Sequence, residues 1–83
     1  MHHDGVPWTG VPERLPCGFL MTKPQGIFTH EAVCEVWTNP EGWELRLTVD
    51  GQSLSVMTVV RSVDEMLALV ETWRIALLQT GWR

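Results

Sequence analysis

SVDEMLALVETWRIALLQTG, residues 62–81, reads as one helix with a stop signal at each end. Ser62 and Glu65 have the spacing of a capping box, in which the Ser62 hydroxyl accepts from the Glu65 amide and the Glu65 carboxylate reaches back. Asp64 and Glu65 put negative charge on the positive end of the helix dipole. Gly81 can adopt the left-handed conformation that closes a helix, and Trp82 then folds back toward Leu77 in a Schellman-type ending. Between these ends Val63, Met66, Val70, Trp73 and Leu77 recur at helical spacing and form one apolar stripe. Such a stripe needs a cover, and the residues before it supply one.

Upstream of Ser62 the apolar period changes from helical to alternating. Trp43, Leu45, Leu47 and Val49 point one way while Glu44, Arg46 and Thr48 point the other, the pattern of a half-buried strand. Asp50-Gly51 sits between this run and Gln52–Val60, a strong hairpin signal because a type I′ turn wants positive φ at both central residues. Before Trp43 lies Asn39-Pro40-Glu41-Gly42, of turn composition, and before that the run Glu31–Thr38. A loop over 39–42 pairs Thr38 with Trp43, and hence Val36 with Leu45, Cys34 with Leu47 and Ala32 with Val49. It also sets Glu35 opposite Arg46, a favourable cross-strand pair. A two-residue Asp50-Gly51 loop pairs Val49 with Gln52, Leu47 with Leu54 and Leu45 with Val56. Both registers gather apolar residues on one face, and a slip of one residue would scatter them. The expected fold is α+β: a three-stranded antiparallel meander packed against one C-terminal helix, in the order β-β-β-α, over residues 27–83.

Residues 1–26 differ in texture. Pro7, Pro12, Pro16 and Pro24 alternate with Gly5, Gly10, Gly18 and Gly26, which predicts an extended arm. Trp8, Val11, Leu15, Phe19, Leu20 and Met21 give that arm anchors, and residues 17–22 have the makings of a short edge strand.

One helix covers one sheet face, so apolar residues are left over. The registers align Trp37, Glu44 and Met57 in a row on the outer face, with Val33 and Val59 nearby. On the helix Leu69 and Ala76 flank the stripe, Leu67 and Leu78 lie on its other edge, and Ile75 falls on the wet side. Three accounts of this surplus stand open: exposed apolar residues without individual meaning, an arm folded over the outer face through Trp8, Phe19 and Leu20, or self-association. The expected interaction surface is Trp8, Trp37, Met57, Val59, Leu69, Ile75 and Leu78. Trp43 and Trp73 fall at core positions.

Composition narrows the function classes. The 83 residues predict one small domain with one core. No apolar run approaches the roughly 20 residues of a membrane span, and no charged-then-apolar start suggests a secretory signal, so a cytoplasmic protein is expected. The net charge is −4, and six Lys and Arg are scattered rather than clustered, which disfavours nucleic-acid binding. Cys17 and Cys34 are expected to be free thiols, with neither CxxC nor zinc-ligand spacing. Met1-His2-His3 could ligate Cu(II) or Ni(II) through the amine and imidazole, and His30-Glu31 beside Cys34 invites a nucleophile–base reading. The alternation, however, points Cys34 into the core, where a thiolate is not activated. No phosphate loop, nucleophile elbow or HExxH motif occurs. Neither an enzyme nor a cofactor or metal protein is expected.

The β-β-β-α order over residues 31–82 resembles the truncated double-stranded-RNA-binding-like fold of HicB-type antitoxins. The residues Val36-Trp37, Gly42-Trp43-Glu44-Leu45-Arg46-Leu47 and Gly81-Trp82-Arg83 are similar to those of small uncharacterised bacterial proteins ending in Gly-Trp-Arg. The first resemblance implies a regulatory partner of another protein; the second implies no activity. The expected function is a small protein-interaction or homodimerisation module. The alternatives are an antitoxin-like regulatory partner and, of another class, a small metal-binding protein or enzyme using His2 and His3 or His30 and Cys34.

Overall fold

The computed structural model describes residues 8–83. They form four strands and one helix: β1 (Arg14–Gln25), β2 (Phe28–Asn39), β3 (Gly42–Val49), β4 (Gln52–Val60) and α1 (Val63–Gln79). The strands lie in the order β1-β2-β3-β4, every neighbouring pair antiparallel. The class is α+β with a C-terminal helix, but the sheet has four strands rather than three. The additional strand, β1, comes from the segment expected to be an arm.

The β2–β3 register is the expected one, with Cys34 against Leu47, Val36 against Leu45, Thr38 against Trp43 and Glu35 against Arg46. Pairing runs one step further, to Asn39 and Gly42, because the Asn39 side chain accepts from the Glu41 amide and tightens the turn to two residues. Asp50 and Gly51 have φ of 55° and 72°, as a type I′ turn requires.

Beyond that turn the β3–β4 register departs from expectation. Val49 faces Gln52, but Leu47 faces Val56 and Leu45 faces Thr58, so β4 carries two extra residues in a bulge. An insertion of two keeps every later side chain on its original face. It moves the partners instead: Glu44 faces Val59, and Met57 faces Arg46. The expected row of Trp37, Glu44 and Met57 is corrected to Arg14, Trp37, Glu44 and Val59.

The outer strand β1 bulges in the same way, with Leu15 facing Val36 and Phe19 facing Cys34. Gly18 lies in this bulge, and a Cβ there would stand 2.0 Å from the Cys34 carbonyl oxygen, so only glycine fits. Residues 14–25 of the arm therefore do not lie over the outer face. They extend the sheet sideways, with Phe19 packed against the core from the inner face and Leu20 exposed on the outer one.

The core lies between the sheet's inner face and α1. Cys34, Val36, Trp43, Leu45, Met66 and Val70 are its buried centre, with Leu15, Cys17, Phe19, Leu47, Val60, Leu69 and Trp73 packed around them. Trp43 and Trp73 thus take their expected core places. Val63, placed in the stripe by spacing, is 45% exposed because it occupies the first helical position. Both ends of α1 form where the sequence reading put them, but the Glu65 carboxylate bonds the Ser62 hydroxyl rather than the Ser62 amide that the capping box would use. The Glu65 amide donates to the Ser62 hydroxyl at 3.0 Å, and the Ser62 hydroxyl donates in turn to the Glu65 carboxylate. At the other end Trp82 donates to the Leu77 carbonyl and Gly81, with φ of 98°, to that of Leu78, the two bonds of a Schellman motif. The amide of Arg83 then donates to the Thr22 carbonyl and its carbonyl accepts from the Thr22 amide, which fastens the helix end to the outer edge of β1.

Candidate functional surface

The outer sheet face carries a polar cluster built on alternation. Glu35, Trp37, Glu44 and Arg46 all point outward from β2 and β3. The Trp37 indole donates to Glu35 at 2.9 Å, and the Arg46 guanidinium lies 5.1 Å from the Trp37 ring centre. Arg46 also donates to Glu44, and Arg14 of β1 approaches Glu35 at 3.6 Å. Trp37 is therefore a half-buried member of a cation–π and hydrogen-bonded cluster rather than an unoccupied anchor.

Two shallow grooves border this cluster, each beside a bulge. One, of about 440 Å³, is bounded by Arg14, Pro16, Phe19, Leu20 and Val33. The other, of about 610 Å³, is bounded by Glu31, Val33, Glu35, Arg46, Thr48 and Met57. Their lining is mixed apolar and charged, and among the described residues no cysteine or histidine lines either.

The residues expected to form an interaction surface divide into three groups. Met57, Val59, Ile75 and Leu78 are exposed, at 60%, 41%, 43% and 44%. Trp8 and Trp37 are half-buried. Leu69 packs against the core beside Val60, and it stands nine positions, or two and a half turns, from Leu78. The two leucines thus lie on opposite flanks of α1 and cannot share one surface. Sequence reading passed over Ile27 and Phe28, 93% and 67% exposed at the tip of the β1–β2 hairpin. They went unnoticed because the hairpin itself did; Gly26-Ile27, with positive φ at the glycine, fits a type II′ turn.

The chemistry-bearing residues do not converge. His30 and Cys34 are four positions apart on β2, roughly 13 Å along a strand, so they form no nucleophile–base pair. Cys34 is fully buried and its thiol is pushed up to about 11, first by burial and then by Cys17 and Glu35. Cys17 and Cys34 are free thiols, and the Cys17 thiol points to the Met66 sulfur at 3.8 Å. His30 instead meets the Asp50 carboxylate at 2.6 Å, and that carboxylate also accepts from the Glu31 amide at 2.8 Å. These two bonds, the amide's first, hold the Asp50 carboxyl below its ordinary value. The arrangement ties the I′ turn to β2. Among the described residues no three metal-ligating side chains cluster, and His2 and His3 lie outside the described residues. Among the described residues no helix is long and apolar enough to cross a membrane.

No protein-family model, curated protein or solved structure matches this chain.

Proposed function

We propose that this chain is a small protein-interaction module whose simplest partner is a second copy of itself. The observation that carries the reading is that large apolar side chains stay exposed on both layers once the core is filled: Met57 and Val59 on the sheet, Leu67, Ile75 and Leu78 on the helix. Apolar surface in such amount on a small domain commonly marks a binding face. The inert, buried Cys34 and the separation of His30 from it weigh against the enzyme reading. Static light scattering of the full chain, from tens of micromolar up to about 1 mM, tests the proposal. A mass of two chains is expected, whereas a single-chain mass with no other protein bound would count against it. An antitoxin-like role would use the same surfaces toward another protein.

A further inference from the structure

The two edges of the sheet are built differently. On β1 the residues whose amides and carbonyls face outward are those in non-hydrogen-bonded pairs with β2. Gln25 and Phe28 close a two-residue hairpin, so the outward set includes Pro24, Thr22 and Leu20. Pro24 has no N–H to offer, Thr22 is occupied by Arg83, and Arg14, Pro16 and Lys23 lie along the same strand. Prolines, charges and a covering segment are the devices that keep an edge strand from pairing. β4 shares a bulge with β1 but, among the described residues, has none of these three. Its nine residues, Gln52–Val60, include no proline, glycine or charge. By the same alternation the outward amides and carbonyls of its regular half belong to Met57 and Val59, which are also exposed side chains.

We propose that β4 is the interface at which two copies of this chain join their sheets, antiparallel about a two-fold axis at Thr58; this rests on the self-association reading above. The unpaired backbone groups specify a strand as the occupant, and the uncharged side chains specify β4 itself. Centred on Thr58, Met57 lies beside the partner's Val59, and Val56 beside the partner's Val60. Over residues 56–60 every cross-strand neighbour is apolar or a threonine facing its own copy, and no like charges meet in that stretch. The Met57 and Val59 pair exchanges two backbone hydrogen bonds, and symmetry repeats it. An axis perpendicular to the sheet leaves both helices on one side of an eight-stranded sheet. The groove of about 280 Å³ lined by Val60, Glu65, Ala68, Leu69 and Thr72 lies on the β4 side of each helix, with Glu65 as its one charged residue.

The test combines light scattering with amide hydrogen exchange on the full chain, at concentrations up to about 1 mM, the range for an interface of low-end area. The expected result is a two-chain mass, with the Met57 and Val59 amides exchanging more slowly as concentration rises. Val59→Lys should weaken association at least tenfold with an unchanged circular dichroism spectrum; if that variant does not fold, Met57→Lys, at a more exposed position, replaces it. A two-chain mass with these amides exchanging at a concentration-independent rate overturns the β4 interface and leaves self-association standing. A single-chain mass throughout overturns both.

Discussion

Gly42 shows how much a single position can decide. Its φ is +143°, and a Cβ there would stand 2.2 Å from the Val60 carbonyl oxygen, on the backbone of the neighbouring strand. An alanine would be strained in conformation and would also collide with atoms that cannot move alone. Gly51 also has positive φ, but a Cβ there meets nothing. Gly51→Ala should therefore cost only the conformational term, about 1 kcal/mol. Gly42→Ala should cost about 3 kcal/mol or more, the range of substitutions that break a special backbone site. Urea unfolding of the two variants checks the order, and equal losses would remove the steric argument. Asp50 makes the residue-scale case for pH. Its carboxyl is held low in the fold by the Glu31 amide and then by His30. Such a group contributes stability above its unfolded value near 3.9, and the contribution is lost as pH falls through the lower folded value. Asp50→Asn tolerates the same positive φ and can still accept from the amide. The stability difference between wild type and this variant should thus shrink as pH falls from neutral to about 2, seen in midpoints of thermal unfolding. A difference that grew on acidification would reverse the assignment.

At the scale of elements, what was legible in the sequence follows from what is local. The ends of α1 depend on contacts three to five residues apart, so Ser62, Glu65 and Gly81 announced them. Replacing the cap, Ser62→Ala, should cost about 1 kcal/mol, measured by denaturant unfolding, and Ser62→Asp should recover most of it. The β2–β3 register was equally readable, because one turn and one alternating run fix it. The β3–β4 register was not: its turn is as expected, but two extra residues enter between Gln52 and Val56. An insertion of two leaves the apolar alternation intact, so periodicity cannot detect it. β1 was legible only as a short edge strand over residues 17–22, and its full length was hidden for a different reason. Pro16, Gly18 and Pro24 read as breakers, and they do forbid a central strand. In an edge strand Pro24 lacks only an outward N–H, and Gly18 allows the bulge to approach Cys34. The composition that suggested an extended arm is that of a protected edge. Of the candidate surface, Met57, Val59, Ile75 and Leu78 were identifiable as residues left over by the core, whereas the pairing of Trp37 with Arg46 and Glu35 needed the side chains of β2 and β3 in place.

For the whole molecule the consequence is that β1 belongs to the folding unit. A chain beginning at Gly26 keeps β2, β3, β4 and α1, the complete meander-plus-helix that the sequence suggests. It loses Leu15, Cys17 and Phe19, which pack against the core, and Met21, which is 5% exposed. Full burial of a large side chain contributes roughly 1.5–3 kcal/mol, so losing buried Met21 together with partly buried Leu15 and Phe19 approaches the lower end of the 5–15 kcal/mol by which small domains are stable. The truncation also opens the inner faces of Cys34 and Val36, now 0% exposed, and turns β2 into an unguarded edge. The shortened chain should show no cooperative thermal transition by circular dichroism and should aggregate on concentration. A cooperative transition close to that of the full chain would instead make β1 an accessory strand laid on a self-sufficient three-stranded domain. Association appearing only on truncation would then point to the β2 edge, which β1 covers in the full chain, and not to β4. The two edges can therefore be separated by comparing exchange at Met57 and Val59 with exchange at Cys34 and Val36, whose amides face β1 in the intact sheet.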